Sequence, residues 1–113
     1  MLLSIVTINY KKPHLTLACL DSLQEQFQKE FEEGQIELII VDNSSQDDSV
    51  EKINNSIQEK KYKNMHLIAN DENAGFGKGN NLGAKNAKGK YLLFLNNDTL
   101  VKDKRLLEMA KVS

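Results

Sequence analysis

The sequence predicts an α/β protein with a mostly parallel sheet of about four strands and helices on both faces. Three observations support this fold class. Short apolar segments alternate along the 113 residues with segments of helical periodicity, which is the pattern of a parallel sheet. The apolar segments are continuous, as expected for strands that are buried on both faces. Each of them also ends in Asn or Asp, residues that favour the loops after strands.

The predicted strands are short aliphatic runs over residues 2–9, 36–42, 65–70 and 90–95. The second run, IELIIVD, has the clearest pattern because, apart from Glu37, it is apolar until it ends in a carboxylate. A signal peptide explains the first run less well than a buried strand. That run has no basic start, and Ser4, Thr7 and Asn9 interrupt it.

The helices are predicted from their ends and from their apolar stripes. Pro13 suits the first turn of the first helix, and Gly34 ends that helix. Ser45 with Asp48 predicts a capping box for the second helix, and Asp103 predicts a cap for the fourth. The buried stripe of the first helix recurs at three- and four-residue spacing, at Leu20, Leu23, Phe27 and Phe31.

Composition excludes several classes of protein. Hydrophobic residues make up 40% of the chain and charged residues 27%, with a formal net charge of -1. This balance gives no electrostatic case for binding nucleic acid or an anionic membrane. The only cysteine, Cys19, excludes an intrachain disulfide and favours a reducing, cytoplasmic compartment.

The strand ends gather polar residues at one edge of the predicted sheet, where parallel strands end together and ligands bind. Turn preference alone is an alternative explanation. Against it, Asp42 and Asp98 each follow a buried run, where a carboxylate must be solvated, hydrogen-bonded or paired with a metal. The polar ends are Asn9-Tyr10, Asp42-Asn43, Asn70-Asp71 and Asn96-Asn97-Asp98. Tyr10 fits either simple packing or a platform for a planar base.

The segment GFGKG, residues 75–79, carries G-x-G but neither the full dinucleotide fingerprint nor a Walker A string. Its glycines are expected either to form a turn or to let the backbone approach a phosphate, with Lys78 adding charge. A helix follows this loop, but its start is uncertain. Gly79 and Gly83 weaken it by roughly 1 kcal/mol each.

Three blocks of the sequence, in order, resemble the N-terminal part of the inverting glycosyltransferases of family 2. The blocks are SIVTINYKKPHLTLACLDSL, IELIIVDNSSQDDS and NAGFGKGNNLGAKNAKGKYLLFLNNDT. The resemblance covers nearly the whole chain. It implies a Rossmann-like domain over residues 1–113, the nucleotide-binding half of a GT-A fold, without the acceptor-binding half. It also implies a nucleoside-diphosphate-sugar donor, a glycan or lipid-linked acceptor, and a role in polysaccharide biosynthesis.

The resemblance also implies roles for individual residues. Residues near the base and ribose would be Thr7, Asn9, Tyr10 and Asp42, the last accepting a hydrogen bond from the base ring. Residues lining the donor pocket near the ribose and pyrophosphate would be Asn73, Gly75, Lys78 and Asn81. The D-x-D signature of the family falls on Asn96, Asn97 and Asp98. Asp98 matches the aspartate that ligates Mg²⁺ or Mn²⁺.

Two departures from the family pattern matter. Asn96 replaces the first aspartate of the signature, which marks either a rhamnosyltransferase-like subgroup with a deoxythymidine-diphosphate deoxysugar or a weakened metal site. The chain also ends fifteen residues after Asp98, and no residue matches the catalytic base that an inverting transferase needs. We therefore expect the isolated chain to be inactive.

Two other function classes stay open from the sequence. One is a non-catalytic nucleotide-sugar sensor or degenerate regulatory module. The other is a nucleotide-binding domain of response-regulator type, which is disfavoured because no acidic cluster follows the first strand. An uncovered sheet edge in a domain of this kind predicts self-association. The family resemblance adds a peripheral location at the inner face of the plasma membrane.

Overall fold

Strands and helices alternate through the whole chain, as the sequence predicts. The computed structural model describes residues 1–71 and 75–112. The strands are β1 (Leu3–Asn9), β2 (Ile36–Asn43), β3 (Met65–Asn70) and β4 (Tyr91–Phe94), and the helices are α1 (Pro13–Glu32), α2 (Ser49–Glu59), α3 (Gly75–Asn86) and α4 (Arg105–Val112). In the described ranges, no helix is both long and apolar enough to cross a membrane.

The four strands form one parallel sheet in the order β3-β2-β1-β4. The chain builds the sheet outward from β1 to β3 and then crosses to the other side of β1 to add β4. The strand order therefore reverses at β1, and ligands of such sheets bind outside the carboxyl ends of the strands at this point. Asn9 lies opposite Asp42 in the register, so the ends of β1 and β2 are side by side.

One face of the sheet carries the larger core, to which α1, α2 and α4 contribute. The stripe predicted for α1 is confirmed, since all four of its leucine and phenylalanine side chains are fully buried. Burial of a side chain of this size contributes roughly 1.5–3 kcal/mol. Helix α1 is therefore firmly fixed to the sheet, and with it the loop that follows β1.

The opposite face of the sheet packs against α3, which begins at Gly75. Residues 75–79, which the sequence predicts to form a glycine loop, are therefore the first residues of this helix. A Cβ atom at Gly79 would lie 2.8 Å from the side chain of Ile8, and one at Gly83 would overlap the side chain of Val6. The backbone of α3 approaches β1 and β2 too closely for side chains at these two positions. Gly79 and Gly83 therefore serve close packing, which neither sequence interpretation of the glycines included.

The predicted ends of α1 and α4 are confirmed. Pro13 is the first residue of α1, and Gly34 follows its C-cap with φ +74°, a conformation that glycine adopts without strain. Before α4, the Oδ1 atom of Asp103 accepts a hydrogen bond of 3.0 Å from the N–H of Arg105. Asp103 thus satisfies one of the free N–H groups at the start of this helix.

The capping box predicted for α2 is wrong. The helix begins at Ser49, and the N–H of Ser49 donates to Oδ1 of Asp47 at 2.9 Å. Asp48 makes no side-chain cap. The hydroxyl of Ser45 donates instead to the buried carboxylate of Asp42, because a buried charge requires hydrogen-bond donors more than an exposed helix end does.

The prediction of a fully buried fourth strand is also wrong. Strand β4 lies at the edge of the sheet. On one of its faces Tyr91 and Leu93 pack against the larger core, whereas Leu92 and Phe94 on the other face are 42% and 48% exposed. The apolar run is continuous, but α3 packs mainly over β1 and β2 and leaves this face of β4 partly uncovered.

Candidate functional site

Asp42 is the penultimate residue of β2, at the carboxyl edge of the sheet, and is only 2% exposed. Its Oδ1 atom accepts hydrogen bonds from Asn9 Nδ2 at 2.8 Å and from Ser45 Oγ at 2.5 Å. Its Oδ2 atom accepts one from the N–H of Ser45 at 3.1 Å. These three bonds satisfy a carboxylate that would otherwise be costly to bury. Asp42 thereby ties the ends of β1 and β2 to the loop that follows β2.

A chain of hydrogen bonds joins Asp42 to the segment after β4. Asn97 Nδ2 donates to Thr16 Oγ1 at 3.1 Å, and Thr16 Oγ1 donates to Asn9 Oδ1 at 2.6 Å. Asn9 Nδ2 then donates to Asp42 Oδ1. Asn9 and Thr16 are both fully buried. These hydrogen bonds cross the point at which the strand order reverses. They connect two segments that the sequence assigns to one site.

The loops that follow β1 and β2 contain unusual backbone conformations. Lys11, Ser44 and Gln46 have φ values of +57°, +55° and +57°, although residues with a Cβ atom adopt this region at an energetic cost. The backbone at Lys11 is held by a hydrogen bond, in which its N–H donates to Ser45 Oγ at 2.9 Å. Strained backbone of this kind concentrates at functional sites, so its position here supports a site beside Asp42.

The segment Asn96-Asn97-Asp98 continues β4 at the same edge. The N–H of Leu95 still donates to the carbonyl of Val6 at 2.8 Å, and the N–H of Thr99 closes a turn onto the carbonyl of Asn96 at 3.1 Å. Asn96 and Asp98 are exposed, whereas Asn97 is half-buried. The segment therefore presents the Asp98 carboxylate to solvent and holds Asn97 inward against Thr16.

Asp98 lies on the side of the sheet that α1 covers. Burial raises the pKa of the Cys19 thiol in α1 to about 11, and the negative charge of Asp98 adds to the rise. Cys19 is therefore a neutral, buried thiol beside the site, and it acts as a small core residue. The hydrogen bond from Asn97 to Thr16 brings the segment that carries Asp98 close to this helix.

The donor atoms at Asp98 fit a cation that is shared with a ligand. Among residues 1–71 and 75–112, no three carboxylate, imidazole or thiol groups are arranged to hold a metal ion. Mg²⁺ needs only one or two protein carboxylates where phosphate oxygens and water complete its coordination. One exposed carboxylate is thus sufficient for a cation that arrives with a phosphorylated ligand, and insufficient for a cation held by the protein alone.

Thr7 and Tyr10 differ in how they meet the site. Thr7 is 1% exposed, and its Oγ1 atom has no hydrogen-bond partner in the part of the chain that the structure describes. Tyr10 is 41% exposed, with Lys11 Nζ 5.2 Å from the centre of its ring. Tyr10 is therefore not part of the core, and its ring is accessible at the end of β1.

The start of α3 is held at the site by asparagines. Asn43 Nδ2 donates to the carbonyl of Gly75 at 3.1 Å, and Asn43 Oδ1 accepts a hydrogen bond of 3.1 Å from Asn70 Nδ2. Gly75 has φ +86°, a conformation that glycine adopts without strain. The polar ends of β2 and β3 thus fix the N-terminus of α3, an end of the helix that favours anions.

Lys78 and Asn81 lie on the exposed surface of α3. Together with other residues of the helix they line a shallow cavity of about 670 Å³. Asn73, which the sequence also assigns to the donor pocket, lies outside the described residues. The structure therefore brings Thr7, Asn9, Asp42 and Asn97 close to the reversal point and places Lys78 and Asn81 on the neighbouring helix.

Thr16, Ser45 and Asn43 are site residues that the sequence prediction missed. A signal existed for Thr16, which lies four residues before Leu20 on the apolar stripe of α1. A hydroxyl on a buried stripe needs a polar partner, and the polar strand ends are one source of such a partner. Ser45 was assigned to helix capping, and Asn43 was noted only as part of a polar strand end.

Comparison with known proteins gives consistent matches. The model of the family "Glycosyl transferase family 2" matches residues 4–112. A poly(ribitol-phosphate) beta-glucosyltransferase of Bacillus spizizenii is 36% identical over 114 residues, which span 100% of this chain and 17% of that protein. An uncharacterized glycosyltransferase of Haemophilus influenzae is 33% identical over 93% of this chain and 39% of its own length. The chain thus spans well under half the length of these relatives.

Solved structures share the fold. S. aureus TarS 1-349 in complex with UDP-GlcNAc superposes with a TM-score of 0.79 at 26% identity, over 99% of this chain and 30% of that one. The mannosyltransferase PcManGT from Pyrobaculum calidifontis, in complex with GDP-Man and Mn²⁺, has a TM-score of 0.77. Its identity of 19% over 87% of this chain supports a common fold only.

Proposed function

Because the chain belongs to glycosyl transferase family 2, we propose that it is the donor-binding domain of a longer enzyme. That enzyme transfers a sugar from a nucleoside-diphosphate sugar to a glycan or lipid-linked acceptor with inversion. The observation that carries the proposal is the convergence of Asp42 and the Asn96-Asn97-Asp98 segment at the strand-order reversal, joined by hydrogen bonds. Ligands of parallel sheets bind at this place.

Each part of the donor meets residues suited to it. The base lies near Asp42 and on the exposed ring of Tyr10, with Asn9 and Thr7 beneath it. The unpartnered hydroxyl of Thr7 supports this placement. The ribose and pyrophosphate extend toward Asn96, Asn97 and the start of α3, where Gly75, Lys78 and Asn81 lie. Asn73 belongs to the same pocket by the family resemblance alone. Lys78 contributes positive charge, and the helix N-terminus favours the phosphates.

The leaving group explains why charge is needed at Asp98. Transfer breaks the bond between the anomeric carbon and the pyrophosphate, so negative charge grows on the pyrophosphate. A divalent cation, Mg²⁺ or Mn²⁺, supplies Lewis-acid stabilisation there when bound. Asp98 would hold it, and Asn96 would contribute a neutral oxygen. A base that deprotonates the acceptor hydroxyl has no counterpart in this chain, so the domain alone is inactive.

The acceptor and the cellular location rest on the relatives. One relative acts on poly(ribitol-phosphate) by its name, which supports a cell-surface polymer as the acceptor of the complete enzyme. A cytoplasmic location, peripheral to the inner face of the plasma membrane, fits an enzyme that builds such a polymer from nucleotide sugars.

We expect the chain to bind a nucleoside diphosphate more tightly when Mn²⁺ is present. Isothermal titration with UDP and with dTDP, each with Mn²⁺ and with EDTA, measures this directly. UDP is the nucleotide of a similar solved structure, and dTDP tests the deoxysugar subgroup. Titration with AMP is the control for adventitious binding. Equal, weak binding of all three nucleotides with and without Mn²⁺ would contradict the proposal.

We expect the chain to self-associate through the uncovered edge of the sheet. Strand β4, YLLF, contains no charge or proline of the kind that protects edge strands, and Leu92 and Phe94 are 42% and 48% exposed. Sedimentation velocity over a hundredfold range of concentration should show a dimer. Phe94→Lys should shift the chain to monomer, whereas Leu100→Lys, at another exposed apolar residue, should not. A monomeric wild-type chain at the highest concentration would refute this expectation.

A further inference from the structure

Thr16 is the central member of the hydrogen-bond chain between Asp42 and Asn97. Its hydroxyl donates its one proton to Asn9 Oδ1 at 2.6 Å and accepts a proton from Asn97 Nδ2 at 3.1 Å. The neighbouring amides offer an oxygen on one side and an N–H on the other. A hydroxyl can donate and accept through the same atom, so a serine could replace Thr16 in this position and a valine could not.

The hydroxyl of Thr16 is also a fixed point in the fold. Thr16 is 0% exposed, and it lies in the first turns of α1, which the buried stripe fixes to the sheet. Its branched side chain has few rotamers in a helix. Asn97, in contrast, belongs to a short segment with exposed residues on both sides. The bond between them therefore holds a surface segment to a rigid element.

We propose that Thr16 is a positioning residue that fixes Asn97, and with it Asp98, relative to Asp42. The nucleoside diphosphate and the divalent cation already bind in a coupled way, because the cation binds the phosphates; by holding Asp98 in place, this link strengthens that coupling. The ligands named here rest on the proposed function, but the positioning role rests on the contacts alone. Thermodynamic linkage requires that the coupling be reciprocal.

Three variants test the role of the hydroxyl. Thr16→Val keeps the shape and removes both hydrogen bonds, and Thr16→Ser keeps the hydroxyl. Ser22→Ala is the matched control: Ser22 Oγ on the same helix accepts a hydrogen bond of 2.9 Å from the N–H of Val101. It therefore also ties α1 to the segment after β4, but outside the chain that leads to Asp42.

Two measurements give the expected results. The first is the ratio of UDP affinities with Mn²⁺ and with EDTA. We expect Thr16→Val to reduce this ratio by about fivefold or more, within the usual range of coupling between sites, and Thr16→Ser and Ser22→Ala to keep it. The second is amide hydrogen exchange of residues 96–99 without any ligand, which should be faster in Thr16→Val than in the wild type and Thr16→Ser.

Each measurement can contradict a different part of the proposal. If the amides of residues 96–99 exchange at the same rate in Thr16→Val as in the wild type, the positioning role is overturned, whatever the ligand affinities are. The contribution of Thr16 to the coupling would be overturned by an unchanged ratio of UDP affinities in Thr16→Val. It would also be overturned if Thr16→Ser reduced this ratio as much as Thr16→Val. If the wild type binds no nucleotide at all, the proposed function is contradicted, and the exchange experiment still decides the role of Thr16.

Discussion

Replacing Asp98 with asparagine should abolish the gain in nucleotide affinity that Mn²⁺ provides. Asp98 is the exposed carboxylate of the Asn96-Asn97-Asp98 segment, and a hard cation shared with a pyrophosphate needs at least one charged protein ligand. We expect the Mn²⁺-dependent part of UDP affinity to fall about tenfold or more, in line with the effect of disturbing a metal site. Affinity in EDTA should stay the same or rise, because a negative charge near the phosphates is removed.

The matched control is Asp103→Asn. It removes the same charge five residues further along, where the carboxylate caps α4 and pairs with Arg105. Isothermal titration of both variants, with Mn²⁺ and with EDTA, separates a local role of Asp98 from a general effect of charge. A Mn²⁺-dependent gain that survives in Asp98→Asn, or disappears equally in Asp103→Asn, would contradict the assignment of Asp98 to the cation.

Gly83→Ala should destabilise the fold, although alanine is the better helix former. A Cβ atom at Gly83 would overlap Val6 of β1, which is fully buried and cannot turn away. Overpacking of this kind costs about 1–3 kcal/mol. Because the helix begins at the site, we also expect α3 to be displaced from the sheet and the hydrogen bond between Asn43 and Gly75 to weaken.

Gly77→Ala provides the opposite expectation on the same helix. Gly77 is exposed, and a Cβ atom there would meet no atom within 4 Å among the described residues. Helix propensity then dominates and should stabilise the protein by roughly 0.5–1 kcal/mol. Urea unfolding of both variants measures the two changes. A stabilised Gly83→Ala variant would show that α3 lies further from the sheet than described.

The sequence predicts the order of the elements well because that order depends on local patterns. Residues 38–41 form an apolar run whatever surrounds them, and the stripe of α1 needs only its own periodicity. The exposure of Leu92 and Phe94 depends on where α3 crosses the sheet, which no local pattern in β4 records. An apolar edge strand and an apolar central strand therefore look alike in the sequence.

The site is only partly predictable for a related reason. Asp42 and Asp98 are visible in the sequence because each carboxylate directly follows an apolar run. The partners of Thr16 and Ser45 are harder to predict, since they lie at the ends of other elements, Asn9 in β1 and Asp42 in β2, and their pairing depends on the fold. The capping box failed because the same serine had two candidate partners and the buried carboxylate bound it.

Asp42 and Asn43 are neighbours in β2, yet they serve opposite faces of the sheet. Asp42 bonds to the loops on the side of α1, and Asn43 bonds to Asn70 and to the start of α3. Side chains alternate along a strand, so a shift of one residue would exchange these two faces. A deletion within β2 would therefore remove both halves of the site at once. We expect this strand to tolerate no change of length.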